Sequence, residues 1–159
     1  MTVWTLVEPT PVDALVLTAN DGAITGLHFG RDGLDLDPAA RADDVPVLVR
    51  AREQLGSYFA GDRHEFDLPL APTGTPFQLQ VWAALREIPY GTTISYGELA
   101  RRVGDPHAAR AVGLANGRNP IAIIVPCHRV VGTSGALTGF GGGLARKRTL
   151  IDLEAATLF

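Results

Sequence analysis

Ile121-Ala-Ile-Ile-Val-Pro-Cys-His-Arg-Val-Val131 carries the only cysteine in 159 residues, Cys127, and a histidine stands directly after it. The apolar run Ile121 to Val125 reads as a buried strand-like segment. Pro126 holds Val125 extended and takes one N–H out of any ladder. The chain is therefore expected to leave the strand where the thiol appears, and a strand end followed by an irregular turn mounts a reactive side chain on a rigid base. Unpaired cysteine is also among the most buried residue types, so on spacing alone a core filler and a nucleophile both fit.

The chain is 46% apolar and 19% charged, enough to bury a core as one domain or as two small ones sharing an interface. One cysteine excludes an internal disulfide framework and leaves a Cys-rich zinc site without ligands, and the four histidines show no metal-ligand spacing. The start, Met1-Thr-Val-Trp-Thr-Leu, lacks a basic region followed by an apolar one, and no apolar run approaches the roughly 20 residues a membrane span needs. A soluble protein of a reducing cytoplasm is expected. The net charge of −3 hides an asymmetry: residues 1–75 hold 5 arginines and no lysine against 12 acids, a net of −7, whereas residues 76–159 hold 9 cations against 5 acids, a net of +4. A local basic surface, rather than the overall charge, is what attracts phosphates, although +4 is also an ordinary solvated surface.

Outward from the cysteine, the N-terminal half reads as strands over residues 3–30, joined by a hairpin at Asn20-Asp-Gly22. An acidic surface loop, Asp32 to Asp44, follows. Val45 to Ala60 is an amphipathic helix with Val45, Leu48, Val49, Arg52, Leu55, Tyr58 and Phe59 at helical spacing, closed by Gly61-Asp62. Phe66, Leu68 and Leu70 alternate as one further strand. Ala71-Pro-Thr-Gly-Thr-Pro76 has the composition of a linker, which divides the chain into residues 1–72 and 76–159.

In the second half, Phe77, Val81, Trp82, Leu85 and Ile88 form a helical stripe that Pro89-Tyr-Gly91 ends. Ser95-Tyr-Gly-Glu98 matches a capping box and opens a short helix over about 95–103. After Gly104, Asp105 is a good N-cap and Pro106 suits the first helical position, so a second helix is expected from Pro106 to Gly117. Two short helices about a glycine-containing turn read as a helix-turn-helix. The second is rich in Ala and Gly, which fits either a backbone pressed against a nucleic-acid groove or tight packing on another helix. Gly113 inside it costs roughly 1 kcal/mol relative to alanine, so the close approach it allows is expected to be used. Arg110 is the one long cationic side chain among these small neighbours, solvated or reaching into DNA. A last helix, about 143–156, places Leu144, Lys147, Ile151 and Glu154 on one stripe, and an inward carboxylate needs a partner. Histidine is the partner that would orient and tune a thiol.

A thiol is mostly protonated at neutral pH, so a nucleophilic Cys127 needs a base or a positive environment, and His128 and Arg129 are adjacent. Neighbours in extended chain point to opposite sides, so a turn or a bridging water is required between Cys127 and His128. The residues alone allow both a hydrolase and an alkyl acceptor built on Cys127, His128 and Glu154.

Ile-Val-Pro-Cys-His-Arg-Val-Val, preceded by Ala-Ala-Arg-Ala-Val-Gly and Asn-Gly-Arg-Asn-Pro and followed by Gly-Gly-Leu and Leu-Ile-Asp-Leu-Glu, resembles the O6-alkylguanine-DNA alkyltransferases. The resemblance is dense over residues 76–155 and looser over 1–70. It implies an α/β (α+β) fold: an N-terminal small antiparallel sheet with a helix, ribonuclease H-like, and a mostly helical C-terminal domain with a winged-helix-like helix-turn-helix. It also implies a suicidal methylated-DNA–[protein]-cysteine S-methyltransferase, which moves the alkyl group of O6-alkylguanine, and of O4-alkylthymine, onto its own cysteine in one irreversible turnover.

By matching positions, the resemblance makes Cys127 the acceptor, with His128 drawing its proton through a water and Glu154 orienting the imidazole. Asn119 braces the turn, and the Tyr96 hydroxyl assists the leaving guanine. Arg110 fills the stack when the nucleotide is flipped, and the DNA-facing set comprises Arg110, Tyr96, Ala109, Gly113, Ala115 and Arg118. The base pocket comprises Val130, Phe140, Gly141 and Pro126, with the carbonyls of Cys127 and Val130 accepting from the exocyclic amine. The implied partner is double-stranded DNA bound through the minor groove by a monomer, cooperatively or not; no metal or cofactor is implied. Many relatives have tyrosine then serine where this chain has Phe140-Gly141, which removes two hydroxyls from the loop. A lesion-binding alkyltransferase-like module is the other family reading, but such proteins carry another residue, typically tryptophan, at the position of Cys127.

Overall fold

The computed structural model describes residues 1–140 and 142–158. β2 (Leu15–Asn20) and β3 (Ala23–Phe29) form the expected hairpin, turned by Asp21 and Gly22 at φ +50° and +77°. Two residues with positive φ give a turn whose twist matches the strands. β1 (Val3–Val7) pairs antiparallel with β2, Thr5 opposite Leu17, so the sheet order is β1-β2-β3. One face presents Leu15, Leu17, Ala19, Ile24 and Leu27 to the buried stripe Val47, Leu48, Ala51, Leu55 and Tyr58 of α1 (Pro46–Phe59), and these share one core. The opposite face carries a small cluster of Trp4, Val16 and Ala40, which Leu34 and Leu36 cover. The acidic stretch expected as a plain surface loop thus lies over the back of the sheet, tied by Trp4 Nε1 donating to the Asp37 carbonyl at 2.8 Å.

The further strand expected at Phe66–Leu70 does not form. Leu70 makes a single parallel bridge to Ile24, whose N–H donates to the Pro69 carbonyl and whose carbonyl accepts from Ala71, both at 2.8 Å. Pro69 has no N–H, so the pairing stops there.

In the second half, Thr75 caps α2 (Pro76–Leu85) with both arms of a capping box to Gln78. α2 buries Val81, Trp82 and Leu85, whereas Phe77, expected on that stripe, is 37% exposed at the first turn. β4 (Ile94–Ser95) leads directly into α3 (Tyr96–Arg102), whose N-cap Ser95 accepts from Glu98 N–H at 3.0 Å. The Glu98 carboxylate pairs with Arg101 and Arg102, rather than completing the expected box. α4 (Ala109–Gly117) begins later than Pro106, because Asp105 to Ala108 closes a turn of its own: Asp105 Oδ1 accepts from His107 N–H and its carbonyl from Ala108 N–H, each at 3.0 Å. α3 and α4 form the helix-turn-helix, with Gly104 at φ +91° in the bend.

The segment Ile121–Val125 is buried, as expected, but it is not a strand. Its one bridge to the sheet among the described residues joins Ile121 to Leu27 of β3, which donates to the Pro120 carbonyl at 2.9 Å and accepts from Ala122 N–H at 3.3 Å. The chain then turns, with Ile123 at φ +69° and Val125 N–H donating back to the Ile121 carbonyl at 3.0 Å. A β-branched residue in that region is strained and persists only where its surroundings over-determine it. Cys127–Arg129 form one 3₁₀ turn, β5 (Val130–Val131) pairs parallel with β4, and α5 (Leu144–Ala156) closes the fold. The buried face of α5 is Lys147, Leu150 and Glu154. Leu144 is exposed and Ile151 half-buried, so the expected stripe is rotated toward Leu150. No helix among the described residues is long and apolar enough to cross a membrane.

Thr75 satisfies the Gln78 N–H at 3.1 Å while Gln78 Oε1 accepts from Thr75 N–H at 2.9 Å. Thr75→Ala is expected to lower the unfolding free energy by about 1 kcal/mol, and Thr75→Ser to retain it, measured by urea denaturation.

Candidate functional site

Cys127 sits at the start of the 3₁₀ turn, where the sharply turned Ile121–Val125 segment hands over to β5. Asn119 holds this approach from inside: its Nδ2 donates to the Val125 carbonyl at 2.8 Å and its Oδ1 accepts from Ile121 N–H at 3.0 Å. The turn rotates Cys127 and His128 out of the opposed geometry of an extended chain. His128 and Glu154 are both buried, and Nε2 of His128 lies 2.6 Å from Glu154 Oε2. A carboxylate accepts, so Nε2 carries the proton and Nδ1 presents a lone pair. That Nδ1 is buried and has no hydrogen-bond partner among the described residues.

Five donors converge on Glu154. Besides His128, Oε2 accepts from Tyr58 Oη at 2.6 Å and Arg129 Nη2 at 3.1 Å, while Oε1 accepts from Arg129 Nε at 2.9 Å and Gly91 N–H at 3.1 Å. Burial alone would raise the pKa of this carboxyl, but the hydrogen bonds from His128 and Arg129 and the Arg129 charge outweigh it and hold Glu154 well below the usual carboxylate range. Arg129 already balances the carboxylate charge, and burial pushes His128 below its ordinary value, against the opposing pull of Glu154, so the imidazole is neutral. Burial also pushes the Cys127 thiol up, with Asn119 and the Lys147 cation pulling weakly the other way. At rest the site therefore holds a protonated thiol and a neutral imidazole with an open lone pair, which suits proton removal at the moment of attack rather than a standing thiolate.

Cys127 opens onto a cavity of about 220 Å³ that is shared by the two halves of the chain. Leu27, Phe29 and Leu34 line it from the sheet side, and Asn119, Ala122 and Phe140 from the other. Phe29 and Phe140 meet edge to face at 5.5 Å. The segment before Phe140 is pinned at the Thr138 carbonyl, which accepts from Tyr96 Oη at 3.1 Å and from the buried Lys147 Nζ at 2.8 Å.

Of the residues expected to form the base pocket, Phe140 lines this cavity. Val130 is fully buried in β5, outside the lining. Pro126 is a correction: it lines a separate cleft behind the turn, with Ile123, Ile124, Tyr90 and Arg129, because the 3₁₀ turn sends successive residues to different sides. Gly141 lies outside the described residues.

On the helix-turn-helix, Arg110 and Arg118 are exposed and make no ion pair among the described residues. Gly113 faces the Tyr96 ring, which a Cβ there would meet at 3.6 Å, and Ala109 is half-buried against the core. Ala115 is a second correction. It is 3% exposed and packed inward, with its carbonyl accepting from Trp82 Nε1 at 2.8 Å, so it presents nothing to DNA. Lys147 was visible in the sequence beside Glu154 on one stripe, and Arg129 beside His128. Tyr58 counted there only as an apolar helix position, and no local signal ties it to a carboxylate 96 residues away.

A helix-turn-helix with two exposed arginines that make no ion pair among the described residues, carried beside one buried cysteine and its histidine–carboxylate pair, defines a nucleic-acid-binding protein with a nucleophilic thiol. Residues 76–156 match the family described as 6-O-methylguanine DNA methyltransferase, DNA binding domain, and residues 3–72 its ribonuclease-like domain. The chain belongs to the 6-O-methylguanine DNA methyltransferase family. It is 52% identical over 145 residues, 91% of this chain and 88% of the relative, to the methylated-DNA–protein-cysteine methyltransferase of Mycolicibacterium paratuberculosis. The crystal structure of Mycobacterium tuberculosis O6-methylguanine methyltransferase superposes with a TM-score of 0.87 at 48% identity, covering 99% of this chain and 94% of that one. A second structure of the M. tuberculosis protein, in complex with DNA, gives 0.83 at 48% identity over 98% and 93%.

His128 and Glu154 both have folded pKa values below their unfolded values of about 6.5 and 4.3, so the unfolded chain binds more protons as the pH falls. Their stabilisation is complete above about pH 6.5 and is lost on acidification, first through His128 and then, below about pH 4.3, through Glu154. Glu154→Gln is expected to cost about 3–5 kcal/mol at pH 7 by leaving Arg129 buried without its counter-charge. The gap from wild type should narrow below pH 4.3 in a series of urea midpoints.

Proposed function

We propose that this protein repairs DNA by moving the alkyl group of O6-alkylguanine, and of O4-alkylthymine, onto Cys127, once per molecule. The observation that carries the reading is the open Nδ1 lone pair of a buried, neutral His128 beside the chain's only cysteine, over a cavity large enough for a base edge and a small alkyl group. Cys127 Sγ attacks the alkyl carbon. The S–C bond forms as the C–O6 bond breaks, and the bond electrons leave with the guanine. The thiol proton passes through a water to His128 Nδ1 and is taken up by the departing base, which regains its O6 carbonyl. The Tyr96 hydroxyl, now on Thr138, turns to donate to the base as charge builds on it. A thioether does not hydrolyse in neutral water, so each molecule acts once.

Duplex DNA is the partner, engaged through the minor groove by α4. Small residues there let the backbone approach, and Arg110 occupies the stack left by the flipped nucleotide. The basic second half and the exposed Arg110 and Arg118 support this reading. A nucleophile that must stay reduced fits the cytoplasm.

Incubation with a duplex carrying O6-methylguanine is expected to add one methyl, and no more, to the intact mass, located on the Cys127 peptide and absent from Cys127→Ala. Lesion binding with an unchanged mass would favour a binding module, and turnover beyond one equivalent a hydrolase. Arg110→Ala should slow transfer from duplex DNA by about 10-fold or more while leaving transfer from free O6-benzylguanine unaffected, since flipping costs a few kcal/mol only in a stacked base. Equal loss on both substrates would remove the flipping role.

A further inference from the structure

The hydroxyl of Tyr58, on α1 in the N-terminal half, reaches across the fold to the Glu154 oxygen that also holds His128, with both donors at 2.6 Å. The ring is fully buried and wedged edge-on between Phe59 at 5.4 Å and Tyr90 at 6.1 Å, with Phe66 at 5.5 Å, so the hydroxyl has one direction to point. Charge balance does not require it, because Arg129 already spans both carboxylate oxygens. A phenylalanine would fill the same space with no polar atom to satisfy. What the hydroxyl adds is a second short hydrogen bond on Oε2, which draws negative charge away from the imidazole side of that oxygen.

We infer that Tyr58 is a positioning residue for alkyl transfer: by donating to Glu154 Oε2 it weakens the pull of the carboxylate on the imidazolium form, keeping His128 neutral with Nδ1 ready for the Cys127 proton. The inference rests on the alkyl-acceptor reading above. The charged and titratable groups around the pair are Tyr58 from α1, Arg129 from the 3₁₀ turn, Lys147 from α5, and Tyr90 with the Gly91 N–H from the segment before β4. The burial-depressed pKa of His128 and the strongly raised one of Tyr58, from burial first and then Glu154, agree with a donor that stays protonated beside a neutral base.

The test is the pH profile of single-turnover transfer from free O6-benzylguanine to the intact 159-residue chain. Removing the hydroxyl leaves more charge on Oε2, so His128 holds a proton to higher pH. Tyr58→Phe should shift the acidic limb upward by about half a pH unit to one unit. Placing 3-fluorotyrosine at position 58 alone strengthens the donor and should shift the limb downward. Leu55→Val, three residues earlier on α1, should lower the melting temperature without moving the limb. A Tyr58→Phe limb that coincides with wild type, or that moves equally in Leu55→Val, overturns the inference. Should Tyr58→Phe fail to fold, an unshifted limb in the fluorotyrosine protein overturns it instead. If wild type gains no benzyl group on Cys127, it is the alkyl-acceptor reading that has failed.

Discussion

One buried carboxylate, Glu154, is the constraint around which this molecule is arranged. Removing a charge from water costs several kcal/mol after relaxation, and only good geometry with every lone pair engaged offsets it. The chain meets that condition with five donors drawn from α1, the segment before β4 and the 3₁₀ turn. Each charge-assisted hydrogen bond contributes about 1.5–3 kcal/mol, so the set is large enough to hold the ion in place. Because the donors lie far apart in the chain, satisfying Glu154 also fixes α5 against both halves. The same arrangement decides the state of the nucleophile's neighbour, since a carboxylate already matched by Arg129 leaves His128 no reason to be charged.

A second constraint acts on the other side of Cys127. Ile123 occupies a backbone region that suits glycine, and the turn it makes keeps the buried segment from extending β3's pairing beyond Ile121. Asn119 replaces the missing ladder with side-chain hydrogen bonds to Ile121 and Val125. The thiol therefore emerges from a rigid, strained base rather than from a mobile loop. The wall facing it is held as firmly, with Lys147 and Tyr96 on the Thr138 carbonyl and Phe29 against Phe140.

Much of this was legible in the sequence where physics is local. The Asn20-Asp-Gly22 hairpin and the Ser95 cap are set by residues within one turn of each other, and each appears where its chemistry put it, while α1 buries Leu48, Leu55 and Tyr58 of its expected stripe and turns Val47 and Ala51 inward beside them. The Cys127–His128–Glu154 grouping was readable because adjacency, one inward carboxylate and a family resemblance pointed the same way. Periodicity failed where long-range packing decides. It read Ile121–Val125 as a strand because an apolar run reports burial and not backbone direction. The family resemblance, carried over position by position, put Pro126 in the base pocket and Ala115 on the DNA-facing side, whereas Pro126 lines a separate cleft and Trp82 claims the carbonyl of a buried Ala115. Asp105 and Pro106 carry good helix-start chemistry, yet a separate turn uses it first.

The pairing of Leu27 with Ile121 and Ala122 has a consequence for how such a chain can change over time. In composition the linker near residues 72–76 is a cut point at which one half could be exchanged for another. But β3 supplies the backbone groups that the strained turn requires, and α1 supplies a donor to the ion beside the thiol. The two halves are joined through their interiors, so a replacement first half would have to bring a strand edge in register and a phenol at the right depth. In this chain a substitution at Leu27 or Tyr58 in the acidic half therefore changes the surroundings of a thiol in the basic one.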